Sequence, residues 1–295
     1  MELTSREKEQ IRKQLKAYVD KYPSQNKAVG SLKNTSAGTV SNILNGKWDN
    51  ISEEMWRKIA DQVKTVSGTD GNGGDGWQIV ETMAYQEISY ALDDAQQWKN
   101  VTWVIGEAGC GKTTTAKIYA ESHKEVFYMQ CSEDLYKGEF VREIARLVGI
   151  RGEGFTVREL WKEILANLIL MDAPLLIFDE ADKLTESVFH YFISLYNKLE
   201  DKCGVVFMST DYIKKRIKNG LRWEKPGYKE FYSRIGRKYF ELEETTPHDV
   251  YAICTANGLS ERKDIDEVMK DAEACDFDLR RVKKSIHRVK RENSK

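Results

Sequence analysis

The chain has 295 residues, 41% hydrophobic and 11% aromatic, which is enough apolar material for at least one substantial core and enough length for about two domains. Its 46 basic and 47 acidic side chains give a formal net charge of −1, which excludes a global field steering it toward nucleic acid and leaves that task to local charge. No long apolar run is present and the N-terminus is charged, so neither a membrane partner nor a signal peptide is expected, and the expected compartment is the cytoplasm.

Residues 1–64 carry twelve Lys/Arg against eight Asp/Glu, a local charge of +4. From Ser24 to Gly46 the pattern reads as helix, turn, helix and glycine stop, with Ala28, Val29, Val40, Ile43 and Leu44 suited to the hidden face and Ser36 to the N-cap of the second helix. Trp48 and Trp56 belong to packing, given the spacing Met55, Trp56, Ile59, Ala60, Val63. The segment resembles the helix-turn-helix of phage repressors, through Gln25 and the run Ser41-Asn42-Ile43-Leu44-Asn45-Gly46. That makes Gln25, Ser36, Gly38, Thr39, Asn42 and Lys47 candidate DNA contacts. The recognition helix has few long side chains, which favours holding phosphate over reading a defined operator, and protein docking or a structural cap is the competing role for this module.

Residues 65–76 contain five glycines and a single apolar side chain, which gain too little from burial to offset ordering, so the stretch reads as a flexible linker. Residues 77–245 alternate apolar strands with helices, as a parallel α/β sheet requires. Strands are expected at Val101–Ile105, Val126–Met129, Leu175–Phe178, Val205–Met208 and Lys238–Leu242, and helices at Lys112–Ser122, Tyr136–Val148, Val157–Leu170 and Val188–Leu199.

Directly after the first strand, Gly106-Glu107-Ala108-Gly109-Cys110-Gly111-Lys112-Thr113, followed by Thr114, fits the phosphate-loop pattern G-x-x-x-x-G-K-[ST]. Glycines let consecutive backbone N–H groups turn toward a phosphate, the helix N-terminus adds a favourable dipole, Lys112 reaches the β- and γ-phosphates, and Thr113 is suited to Mg2+. Sixty-six residues beyond Thr113, Asp179 and Glu180 close a buried strand. Asp179 is suited to hold Mg2+ and Glu180 to orient an attacking water. Asp182 is expected to cap the start of the next helix. Either Ser209 or Thr210, at the end of the following strand, is suited to sense the γ-phosphate. Arg234 is placed to project from a helix end toward a neighbouring subunit, and Arg280 or Arg281 to reach the phosphate from the last helix.

Residues 246–295 read as a helical lid that opens on Thr246-Pro247, an N-cap followed by proline at the first helical position, with a stop at Gly258. The final helix stripes Leu279, Val282, Ile286 and Val289 on one side and leaves Arg280, Lys284, Arg288 and Arg291 on the other. Between Leu279 and Lys295 there are eight Lys/Arg and one Glu, so Arg288 and Arg291 join the candidate DNA contacts. A second basic stretch, from Asp211 to Phe240, has ten Lys/Arg and three Asp/Glu. The five cysteines are widely spaced with no Cys-x-x-Cys pair, as unpaired thiols would be, and no His-Glu-x-x-His spacing suggests zinc chemistry.

Together the phosphate loop, Leu175–Glu180, Ser209-Thr210, Tyr232-Ser233-Arg234-Ile235 and Asp278-Leu279-Arg280 resemble an AAA+ ATPase over roughly Trp77 to Arg291. With the N-terminal module the whole chain resembles the target-DNA activators (transposition protein B) of Mu-like phages and related transposons. The resemblance implies an α/β AAA+ P-loop NTPase core with a parallel sheet and helical lid, preceded by a small all-α helix-turn-helix domain. It further implies ATP and Mg2+ as ligands, Arg234 as an intersubunit arginine finger, Arg280 as the lid sensor, and Lys137 and Arg151 in loops that face DNA. Phe277 stands where many relatives of this lid have glycine. The implied function is an ATPase that assembles on double-stranded DNA as a homo-oligomer or helical filament and recruits or stimulates a transposase. A replication initiator or helicase loader uses almost the same machinery, and a nucleotide-binding adaptor without turnover is the rival of a different class.

Overall fold

The computed structural model describes residues 5–20, 25–30, 35–48, 51–67 and 77–293, and these fall into two units, Met1–Trp77 and Gln78–Lys295. The first unit contains α1 (Ser5–Asp20), α2 (Gln25–Gly30), α3 (Ala37–Leu44) and α4 (Glu53–Ser67). Ile11, Leu15, Tyr18, Ala28, Val40, Ile43, Trp56 and Ile59 form its core. Trp48 meets Trp56 edge-on at 5.5 Å and donates its indole N–H to the Ile43 carbonyl, closing the core where α3 ends. Helix α3 starts after Ser36, whose hydroxyl accepts from the Thr39 amide at 3.1 Å, and Gly46 turns the chain out with φ 73°. The expected linker 65–76 needs a correction at its start: α4 remains helical through Ser67. Residues 68–76 lie outside the described residues.

The second unit runs α5 (Met83–Trp98), β1 (Val101–Ile105), α6 (Lys112–Ser122), β2 (Val126–Gln130), α7 (Lys137–Leu147), α8 (Val157–Leu170) and β3 (Leu175–Asp179). After the 3-10 turn Ala181–Lys183 come α9 (Glu186–Leu199), β4 (Gly204–Ser209), α10 (Tyr212–Arg222), α11 (Tyr228–Arg234) and β5 (Phe240–Glu241). A lid follows, formed by α12 (Pro247–Ala256), α13 (Arg262–Glu273) and α14 (Leu279–Asn293). The five strands make one parallel sheet in the order β2-β3-β4-β1-β5.

Every residue of β3 and β4 is buried, as central strands covered on both faces require. Alternation sends Trp103, Phe178 and Phe207 to the face packed by α7 to α11, and Val104, Ile177, Val206 and Met208 to the face packed by α5 and α6. Gly204 is needed where α5 crosses β4, because a Cβ there would lie 2.2 Å from the Ala95 carbonyl oxygen. Two sequence expectations are corrected here. The last strand is only Phe240–Glu241, since its single partner is β1 at Val104 and Ile105. Asp182 sits in the first turn of the short 3-10 helix, four residues ahead of α9, so the helix it starts is that turn and not α9.

Candidate nucleotide site

Strand β1 delivers the chain into the loop 106–111, and the loop delivers it into α6. The turn depends on Gly109 and Gly111, whose φ values of 84° and 105° belong to a region that side chains disfavour. Gly111 gives α6 no side-chain cap, which leaves the first amides of that helix for an anion. Lys112 folds back on the loop and donates to the carbonyls of Gly106 at 2.6 Å and Glu107 at 2.8 Å. Cys110 is buried, its Sγ 3.7 Å from the Lys112 Nζ, while Glu107, Ala108 and Thr114 are exposed.

Asp179 is only 1% exposed, yet every one of its hydrogen-bond partners is a donor. The Thr113 hydroxyl donates to its Oδ2 at 2.6 Å, the Tyr128 phenol donates to the same oxygen at 2.9 Å, and the Glu180 amide donates to Oδ1 at 3.0 Å. Thr113 meets Asp179 although β4 lies between β1 and β3 in the sheet, because α6 packs against β2 and β3. Glu180 adopts a left-handed backbone (φ 54°) that turns its side chain out of the strand. Its carboxylate accepts from Lys183 Nζ at 2.7 Å and from the Gln130 amide at 3.3 Å. The Lys183 hydrogen bond is the main reason its pKa lies below the ordinary glutamate value; Gln130 and the nearby charge of Arg280 add to this, and partial burial opposes it. A hydroxyl beside a buried carboxylate is a hard oxygen set that fits Mg2+, and the uncapped α6 N-terminus with Lys112 fits a polyphosphate.

The lid closes on the loop. The Leu279 amide donates to the Gly109 carbonyl at 3.1 Å, and Asp278 lies so near Gly109 that an added Cβ would meet its Oδ1 at 2.2 Å. Arg281 is held by Asp271 through two hydrogen bonds of 2.8 and 2.7 Å, whereas Arg280 is exposed and its charge acts on Glu180. Of the two hydroxyls left open by the sequence, Ser209 is buried and accepts from the Trp103 indole at 2.8 Å while donating to the Thr210 carbonyl. Thr210 donates to Asp182 at 3.4 Å, and burial raises the pKa of Asp182. Arg234 lies at the end of α11, bonded within the subunit to Glu200 at 2.9 Å and Asn197 at 2.6 Å.

Sequence reasoning singled out none of Tyr128, Gln130 and Lys183 as site residues, and met Asp278 only as the start of the motif that carries Arg280. Alternation along β2 puts residues 128 and 130 on one face, but only the pairing of Gln130 with Asp179 across β2 and β3 shows that this face meets the acid pair.

The candidate DNA contacts fall in both units. Gln25 donates to the Ala37 carbonyl at 3.4 Å, Ser36 is engaged by Thr39, and Gly38, Asn42 and Lys47 are exposed. Lys137 opens α7, and Arg151 is exposed in the loop before α8. Arg288, on the polar side of α14, keeps its side chain 42% exposed but bonds Glu267 of α13 at 2.9 Å, and its Nε is buried with no hydrogen-bond partner among the described residues. Arg291 is exposed.

The AAA domain family matches residues 95–217, from the last turn of α5 into α10. The DNA transposition protein B of the Mu-like prophage FluMu of Haemophilus influenzae is 28% identical over 197 residues, which span 65% of this chain and 66% of that protein. The chain thus carries a match to the AAA domain over residues 95–217 and is similar to transposition protein B over 197 residues. The ORC1 protein of Aeropyrum pernix, solved in complex with DNA, superimposes with a TM-score of 0.52 at 16% identity, covering 70% of this chain and 59% of that one. That likeness is one of fold. No helix among the described residues is long and apolar enough to cross a membrane.

Proposed function

We propose that the protein is an ATP-hydrolysing, weakly sequence-specific duplex-DNA-binding protein that assembles on target DNA as a homo-oligomer or filament and recruits or stimulates a transposase. The similarity to transposition protein B, extending over 197 residues, carries this reading. The site supplies parts for each step. Lys112 and the α6 amides would hold the phosphates, and Thr113 with Asp179 would hold Mg2+, which when bound neutralises phosphate charge. Glu180, ionised and at the solvent edge, would orient the attacking water once the Lys183 contact yields. Arg280 from the lid, and Arg234 from a neighbouring copy, would balance the charge that develops on the γ-phosphate. Hydrolysis would then release or redistribute the assembly.

The decisive experiment images the protein on duplex DNA with ATP or ADP, alongside Glu180→Gln. A DNA-bound assembly with ATP that is lost with ADP, and that persists in Glu180→Gln while hydrolysis slows by roughly 100-fold, is expected. No duplex binding with ATP at low salt, or normal hydrolysis by Glu180→Gln, overturns the reading.

A further inference from the structure

The hydrogen bonds around Asp179 assign a role to Tyr128, a residue outside the phosphate loop and outside the acid pair. The carboxylate is withdrawn from water, so hydrogen bonds from the protein must replace its hydration. Three donors do so, and two of them converge on a single oxygen: Thr113 at 2.6 Å and Tyr128 at 2.9 Å, both to Oδ2. The phenol comes from β2, the strand that also brings Gln130 to Glu180. Its ring is fixed between β2 and α6, with Lys117 Nζ 5.5 Å from the ring centroid.

We propose that Tyr128 is a positioning residue that fixes the Asp179 carboxylate for Mg2+, so that the phenol sets the Mg2+ dependence of nucleotide binding in this protein. The inference rests on the reading of Asp179 as a metal ligand. Outer partners of metal-binding carboxylates restrict the rotamer of the ligand and raise its affinity for the ion. Here Thr113 is itself a prospective ligand, and the Glu180 amide lies on the chain segment that carries the carboxylate. Tyr128 is the one donor that reaches Asp179 from a separate strand, and it holds the side chain whichever way the Thr113 hydroxyl turns.

The test measures ATPγS binding to the full-length protein over a Mg2+ series and in EDTA, for Tyr128→Phe, Tyr128→Met and Asp179→Asn. Tyr128→Phe keeps the ring and loses the hydroxyl, and Tyr128→Met loses the hydroxyl with different packing. Both are expected to raise the half-saturating Mg2+ concentration about 10-fold while leaving the affinity in EDTA unchanged, which a merely structural role would also lower. A Mg2+ midpoint unmoved in the tyrosine variants but moved in Asp179→Asn overturns the role of Tyr128 alone. A midpoint unmoved in Asp179→Asn shows instead that the metal-ligand reading beneath it is wrong. Equal losses with and without Mg2+ in both tyrosine variants make Tyr128 a packing residue, which also overturns the proposal.

Discussion

Ser209 and Thr210 are adjacent hydroxyls with different obligations. Strand alternation sends Ser209 to the same face as Phe207 and Trp103, where its oxygen satisfies a buried indole N–H. Ser209→Ala strands that donor, so it is expected to cost about 1–3 kcal/mol of stability and to leave the turnover number intact. Thr210 lies just past the strand and bonds Asp182 near the acid pair; Thr210→Ala is expected to keep stability and to slow hydrolysis by roughly 100-fold. Thermal unfolding and phosphate release on both variants check this, and the reverse pattern would assign the sensor to Ser209. Lys112 and Thr113 were legible in the sequence because strand, loop and helix follow one another locally, and Asp179 and Glu180 because they end an apolar strand. The choice between the two hydroxyls was not, since it depends on Trp103, a partner 106 residues away.

Among the elements, the lid shows how one acid can serve two helices. Asp249 accepts the Thr246 amide and hydroxyl through Oδ2 at 2.9 and 2.8 Å, completing the capping box of α12, and accepts the Met83 amide at the start of α5 through Oδ1 at 3.1 Å. The cap at Thr246-Pro247 was readable from sequence, whereas α5 and its tie to the lid were not, because the partners lie 166 residues apart. Asp249→Ala frees two helix N-termini together and is expected to cost about 3 kcal/mol, seen as a drop in the unfolding midpoint. An unchanged midpoint would show these bonds to be dispensable. The turn into α14 carries its own strain: Asp276 and Phe277 have φ values of 50° and 55°. Phe277→Gly is therefore expected to be more stable than Phe277→Ala by about 1 kcal/mol, since both lose the ring and only alanine keeps a Cβ in the left-handed region. Equal midpoints for the pair would mean that the turn relaxes.

At the scale of the whole molecule, near-neutral net charge means that any affinity for duplex DNA must come from restricted surfaces. Which surface matters was only partly legible: the basic run of the last helix is plain in the sequence, but the structure commits Arg281 to Asp271 and Arg288 to Glu267. Neutralising Arg288 would therefore expose a carboxylate as well as remove a cation, and Lys284 and Arg291, both exposed, are the cleaner pair to change. The N-terminal unit is separable at a defined place, after Ser67, where α4 ends. The affinity of the ATP-bound protein is expected to fall linearly in log K against log salt, with a slope of about −0.9 for each phosphate contacted. Lys284→Gln with Arg291→Gln should make that slope shallower by about 2 if both touch phosphate, and deletion through Ser67 should weaken binding without altering nucleotide occupancy. Binding over a salt series, with bound nucleotide measured in parallel, separates these effects. Identical affinity and slope in all three proteins would move the contacts to Arg288, to Lys137 at the start of α7 or to the loop that carries Arg151, because those are the candidate DNA contacts left unchanged in the second unit.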